Sequence, residues 1–195
     1  MALKRFPLEQ FATLELNQVA FPKTGMVVSQ TPLGAEFTKD APCENGMWVL
    51  ADKSKGTIGS AAAVTDTPIG VVYTAEKEYD NAHYGLKTFG RKVAGDYPRV
   101  GILGLGDTMT TNCLQYDDTE FAAVTTTGSE KTSDEVLFDA LKAWQTTPIY
   151  VALVAGSPVP KLTANKPASG IYGKVTKFYT VPNGEPGVKY EIVHI

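Results

Sequence analysis

Short apolar runs separated by turn residues fill most of the chain after residue 42. The runs 47–52, 69–77, 99–105 and 108–116 are rich in β-branched and aromatic residues, and each follows a cluster of Gly, Pro, Asn or Asp. Strands of this length with turn residues between them are typical of antiparallel barrels and sandwiches. The pattern therefore predicts a mainly β fold, a compact antiparallel β-barrel or sandwich.

One later segment has the periodicity of a helix. Thr132 and Glu135 have the spacing of a capping box, and apolar residues follow on one helical face. This predicts one short amphipathic helix over about 133–144 that covers an edge or mouth of the β core. After the helix, the strand-like segments 173–181 and 188–195 flank a run of Pro, Asn and Gly, which predicts a C-terminal β-hairpin.

The apolar positions of the first 41 residues follow neither the alternation of a strand nor the periodicity of a helix. Three prolines interrupt their apolar positions, so no helix runs through them. We expect an extended N-terminal arm, residues 1–41, followed by a β-rich body, residues 42–195. An arm with this many apolar side chains has to be covered by its own body or by a neighbouring chain. Its predicted partner-binding residues, the arm anchors, are Leu3, Phe6, Leu8, Phe11, Leu14 and Leu16.

Composition and charge reduce the number of possible partners. The chain has 195 residues, a net charge of −3 and 18 basic residues, of which Arg5, Arg91 and Arg99 are the arginines. The sequence has no cluster of basic residues that could neutralise nucleic-acid phosphates and release their counterions. We therefore expect no nucleic-acid partner. No apolar run is long enough for a membrane-spanning helix and the N-terminus lacks a secretory signal pattern, so we expect no membrane partner.

Two glycine-rich stretches resemble phosphate-binding loops only in part. After Gly104 and Gly106 the dinucleotide pattern requires glycine where the chain has Met109. Further on, a P-loop requires glycine at Ala168 and a hydroxyl residue at Val175. We interpret both stretches as turns and expect no bound cofactor.

Candidate residues for acid–base, metal or sugar chemistry are few. His83 and His194 lack metal-ligand spacing, whereas Asp117, Asp118 and Glu120 could serve a glycosidase or calcium site but lie in a sequence typical of a turn. We expect no catalytic residue and no metal site. The aromatic residues that could line a sugar site, although they more often fill a β core, are Trp48, Tyr73, Tyr79, Tyr84 and Tyr97.

The two cysteines also have a structural interpretation. Cys43 and Cys113 are far apart in sequence and lack CxxC spacing, so the pattern favours reduced, buried or half-buried thiols over a disulfide or zinc site. Such thiols are typical of a protein made in a cytoplasm. A Cys–His nucleophile would require one of them to meet a histidine in space.

Four stretches, 42–58, 70–80, 95–118 and 173–195, carry a family resemblance. Their motifs NGM-V-AD, YPRVGIL--GDT-TTN and YTVPNG-PG-KYEIV resemble small virion proteins of tailed phages and prophages of Gram-positive, clostridial-type bacteria, found beside the major capsid protein. The resemblance implies a head decoration, or capsid cement, protein on the outer surface of the phage head, made in the host cytoplasm. It implies two partners, the major capsid protein and neighbouring copies in a homotrimer, and supplies no catalytic residues.

Proteins of other classes fit the same patterns. Another phage structural component, from the neck, the tail or a head fibre, is the nearest alternative. A surface carbohydrate-binding module would present an exposed aromatic platform. A hydrolase would require Asp117, Asp118, a histidine or a cysteine to converge in a pocket.

Overall fold

The computed structural model describes residues 3–8, 12–15, 18–21, 27–28, 31–74, 92–126, 129–181 and 184–195. Strands dominate these residues, which confirms the predicted mainly β class with one short α-helix. The elements are β1 (Leu3–Arg5), β2 (Val27–Val28), β3 (Trp48–Leu50), β4 (Ile69–Val72), β5 (Val100–Ile102), β6 (Thr108–Thr111), β7 (Gln115–Asp117), β8 (Val124–Thr126), β9 (Ser129–Lys131), α1 (Ser133–Lys142), β10 (Tyr150–Val154), β11 (Ser157–Thr163), β12 (Tyr172–Thr180) and β13 (Pro186–His194). None of the described helices has the length and hydropathy that crossing a membrane requires.

Two main sheets form the body. One has the order β1-β7-β11-β10-β12-β13-β6, the other has the order β2-β5-β4-β3, and β8 and β9 form a separate hairpin. The paired strands are antiparallel apart from β7 and β11, which run parallel. Among the described residues the sheets do not close into a barrel, and their layout is compatible with the predicted sandwich.

The four-stranded sheet has apolar contacts on both faces. Trp48 and Leu50 of β3 join the larger core cluster, while Val49 between them joins a second cluster. Because successive side chains of a strand point to opposite faces, a strand covered on both sides is apolar throughout. The Trp48 indole N–H donates a 2.9 Å hydrogen bond to the Tyr190 hydroxyl of β13, which links the two sheets across the core.

Helix α1 begins where the sequence predicts it. The Thr132 hydroxyl accepts a hydrogen bond from the Glu135 backbone N–H, and the Glu135 carboxylate accepts one from the Thr132 backbone N–H, so the capping box is present. Leu137 and Leu141 are buried, which confirms that the apolar stripe packs on the core. The helix ends at Lys142, two residues before the predicted end at 144, because the chain enters hydrogen-bonded turns there.

The C-terminal hairpin is also confirmed. Strands β12 and β13 pair antiparallel over most of their length, although positions 182 and 183 of the connecting turn lie outside the described residues. The glycine-rich stretch at 104–107 is a turn, as predicted: Gly106 has φ +89°, and the Gly104 N–H donates a 2.7 Å hydrogen bond to Asp107 Oδ2. Strand β6 follows this turn directly, so no helix N-terminus stands behind it. The second stretch bends at Gly170, where φ is +76°, and continues into β12.

The described part of the N-terminal arm is extended and lies on its own body. Strand β1 pairs with β7, while Leu14 forms a bridge with Thr111 and Ala20 forms one with Thr108 of β6. Because β1 and β6 stand at opposite ends of the strand order, this segment supplies one edge strand of the seven-stranded sheet and bridges to the edge strand at the other end. The bridges at Leu14 and Ala20 occupy part of the β6 edge, which there cannot pair with another chain.

Polar contacts fix the same segment to the turn before β3. The Arg5 guanidinium lies 3.1 Å from Glu44 Oε2, and that oxygen also accepts a 3.0 Å hydrogen bond from the Ala12 backbone N–H. The Glu44 carboxylate is therefore held by two points of the N-terminal segment. Its near-complete burial is compensated by these donors.

Candidate partner-binding surface

Two arm anchors are core residues of this chain. Phe6 and Leu14 are each 1 % exposed and belong to the larger core cluster. The Phe6 ring meets the Phe138 ring of α1 edge-on, with centroids 5.6 Å apart. Both side chains are covered by the chain's own body, which is one of the two covers that the sequence left open.

The other arm anchors are less buried or not described. Leu3 and Leu8 are half-buried, and Leu8 packs against the second core cluster. Phe11 and Leu16 lie outside the described residues. The partner-binding role of these four residues stays a prediction.

The predicted carboxylate group forms an ion-pair network with Lys161. Lys161 Nζ lies 3.1 Å from Glu120 Oε2 and 3.6 Å from Asp117 Oδ2, whereas Asp118 is exposed. The remaining oxygen of Glu120 accepts a 2.7 Å hydrogen bond from the Thr163 hydroxyl. The chain's own donors thus hold these carboxylates and connect β7 with β11. Among the described residues no group of three or more His, Cys, Asp and Glu could hold a metal ion.

We expect the Asp117→Asn variant to lose less stability in acid than the wild type does. The hydroxyl and then the backbone N–H of Thr119, with a smaller effect of Lys161, lower the pKa of Asp117. A lowered folded-state pKa adds stability above the ordinary value of about 4, and this stability is lost as the pH falls through the folded-state value. Melting temperatures between about pH 7 and pH 3 should therefore fall less steeply for the variant. The exposed Asp118→Asn is the control and should follow the wild type, and equal slopes for all three chains would contradict the expectation.

The histidines do not meet the cysteines in the described residues. His194 stacks on Tyr172 with ring centroids 4.9 Å apart, and its Nδ1 lies 2.9 Å from the Gly170 carbonyl oxygen. His83 lies outside the described residues.

Both cysteines are free and buried, as the sequence predicts. Burial raises the pKa of the Cys113 thiol to about 12 and raises that of Cys43 as well. Buried thiols with a raised pKa are weak nucleophiles, because the thiolate is the reactive form.

The aromatic residues are dispersed. Trp48 is fully buried, and Tyr73 is half-buried beside Phe21, with ring centroids 5.6 Å apart. Tyr97 is 62 % exposed. Tyr79 and Tyr84 lie outside the described residues.

One polar cluster at the start of α1 was not predicted. Lys4 Nζ lies 3.2 Å from Asp134 Oδ1 and 3.4 Å from Ser133 Oγ, and the Tyr116 hydroxyl donates a short hydrogen bond to Asp134. The Tyr116 hydroxyl and, to a smaller extent, Asp134 raise the pKa of Lys4. A lysine held as the ammonium ion cannot act as a general base for a serine. The cluster fastens β1 to the helix, and no local sequence pattern indicates it because its residues meet only in the fold.

An apolar cavity lies where β4, β5, β12 and β13 come together. It has a volume of about 360 Å³ and is lined by residues 64–69, 102–103, 170–171 and Ile195. The walls are mostly aliphatic, and Asp66 is the charged side chain of the lining. A cavity of this size with few polar groups is typical of binding sites.

Three apolar side chains near the cavity are exposed: Ile195 belongs to its lining, and Leu105 and Val193 each lie two residues along the chain from a lining residue. Leu105, Val193 and Ile195 are 43 %, 41 % and 52 % exposed, and we call them the apolar rim. Hydrogen bonds of 2.9 and 2.8 Å between the turn that carries Leu105 and Ile192 hold this turn beside β13. Exposed apolar residues around a cavity mark a candidate surface for binding another macromolecule.

Comparisons with known proteins do not assign this surface. No protein-family model, no curated protein and no solved structure matches the chain.

Proposed function

We propose that the chain is a virion structural protein that decorates and stabilises a phage capsid by binding the lattice of the major capsid protein. The observation that carries the proposal is the cavity with its apolar rim, because an apolar surface of this kind favours a protein partner. The resemblance of the motifs in 42–195 to phage head proteins supports the choice of partner. The protein then sits on the outer surface of the head, next to copies of itself in a homotrimer.

The body has properties that suit this task. Its two sheets share the larger core cluster, and the N-terminal segment forms one edge strand of the larger sheet and bridges to the edge strand at the other end. Ion pairs at Glu44 and Lys161 fasten distant parts of the chain to one another. A body tied together in this way keeps its shape when neighbouring capsid subunits are pulled apart. The net charge of −3 suits a protein outside the shell, where it does not touch the genome.

Reconstitution tests the proposal. Purified full-length protein is mixed with expanded heads that lack it, and the heads are then sedimented. We expect saturable binding at a fixed ratio to the major capsid protein, and greater resistance of the heads to heat and osmotic shock. An unrelated acidic β protein of similar size is the control.

Two outcomes would contradict the decoration role. The first is a full-length protein that stays in the supernatant at every concentration. The second is a protein that assembles alone into rings or tubes and leaves heads unaltered, which would favour a neck, tail or fibre component.

A further inference from the structure

We infer that the cavity beside Ile195 receives one bulky apolar side chain of the major capsid protein, from a segment that also carries a basic residue. The inference rests on the proposed function and adds the contact point and the chemistry of the partner segment. Anchor residues that fill a pocket supply much of the binding energy of protein interfaces. The cavity volume of about 360 Å³ leaves room for a leucine, methionine or aromatic side chain with part of its backbone.

The wall of the cavity is already formed in the free chain. Ile69, Leu103 and Ile171 line it and belong to the larger core cluster. The Leu103 N–H donates a 2.9 Å hydrogen bond to the Ile69 carbonyl oxygen, which fixes two of these walls to each other. A preformed site binds more tightly because ordering its residues costs little on binding.

The apolar rim favours a protein over a small molecule. A small ligand inside the cavity would leave Leu105 and Val193 in water, because these two side chains do not line it. A protein segment seated in the cavity would cover them as well. This arrangement, a central pocket with surrounding residues that exclude water, is typical of the most strongly bound part of an interface.

Asp66 gives the surface its charge preference. Its Oδ2 accepts hydrogen bonds of 2.8 and 2.9 Å from the backbone N–H groups of Ala62 and Ala63, which hold the carboxylate in place. The side chain is half-buried at the cavity, so its negative charge acts on whatever enters. Complementary charge selects a lysine or arginine near the inserted residue.

Expanded heads that lack the protein are the probe for this contact. Ile195→Asp places a charge at the cavity, and Val64→Trp fills it from a half-buried position. Val124→Asp is the matched control, because Val124 is 45 % exposed and lies on the separate β8–β9 hairpin. We expect each cavity variant to bind heads at least about tenfold more weakly, as loss of an interface anchor does. The control should bind like the wild type.

The outcomes separate this inference from the proposed function. If the wild type and both cavity variants bind equally well, the inference is wrong and the decoration role stands. If Val124→Asp weakens binding as much as Ile195→Asp, the effect is one of general surface charge and the inference is also wrong. If the wild type does not bind heads, the proposed function fails and the inference fails with it. If Val64→Trp does not fold, Ile195→Asp decides, because Ile195 is 52 % exposed and its replacement leaves the core intact.

Discussion

Replacing Phe6 with alanine is expected to lower the free energy of unfolding by about 3–5 kcal/mol. Phe6 is 1 % exposed and packs in the larger core cluster, where its ring contacts Phe138 of α1. Its removal leaves a cavity between the N-terminal segment and the helix, and a loss of this size is a large part of the stability of most domains. Urea denaturation followed by tryptophan fluorescence measures the change.

The exposed Tyr97→Ala provides the control for Phe6→Ala. Tyr97 is 62 % exposed, so its replacement should alter the free energy of unfolding by no more than about 0.5 kcal/mol. The same reasoning predicts that a chain without residues 1–20 unfolds instead of leaving an intact body. A Phe6→Ala variant as stable as the wild type would show that the segment is an independent arm and not part of the core.

Replacing Gly170 with alanine is expected to destabilise the fold more than replacing Gly156 does, although both glycines have nearly the same backbone conformation. Their φ values are +76° and +74°, a region that costs alanine roughly 1–2 kcal/mol in either place. A Cβ at 170 would stand 2.2 Å from the Val64 carbonyl oxygen, whereas one at 156 has nothing within 4 Å. The collision should add about 1–3 kcal/mol, because backbone has to move.

Gly156→Ala is therefore the internal control, because it separates the cost of the backbone conformation from the close approach of the Val64 carbonyl oxygen to Gly170. Both variants are compared with the wild type by urea denaturation at one temperature. Equal losses of stability would contradict the close approach, and with it the shape of the cavity wall at that point. A larger loss at Gly170 supports the geometry on which the proposed capsid contact depends.

The elements that the sequence predicts well are those whose signals are local. The capping box at Thr132 and the apolar stripe of α1 lie within one short segment, and so do the two strands and the turn of the C-terminal hairpin. Contacts between distant segments have no such signal. The parallel pairing of β7 with β11, and the meeting of Lys161 with Asp117, depend on how the sheets assemble.

The same limit applies to the binding surface. An apolar position in a strand or turn does not say whether its side chain reaches the core, so Leu103 and Leu105 have similar sequence surroundings although one is buried and the other exposed. For this reason the sequence left open what covers the arm anchors Phe6 and Leu14, which lie in the chain's own core. The apolar rim, where a partner would bind, carries no motif.

The abundance of the chain in purified DNA-filled heads tests the capsid role most directly. Quantitative mass spectrometry of such heads, separated from tails and free protein, gives the ratio of this chain to the major capsid protein. The proposed function predicts a fixed ratio that corresponds to hundreds of copies per head. Absence from the heads, or a few copies that separate with the neck or the tail, would contradict it.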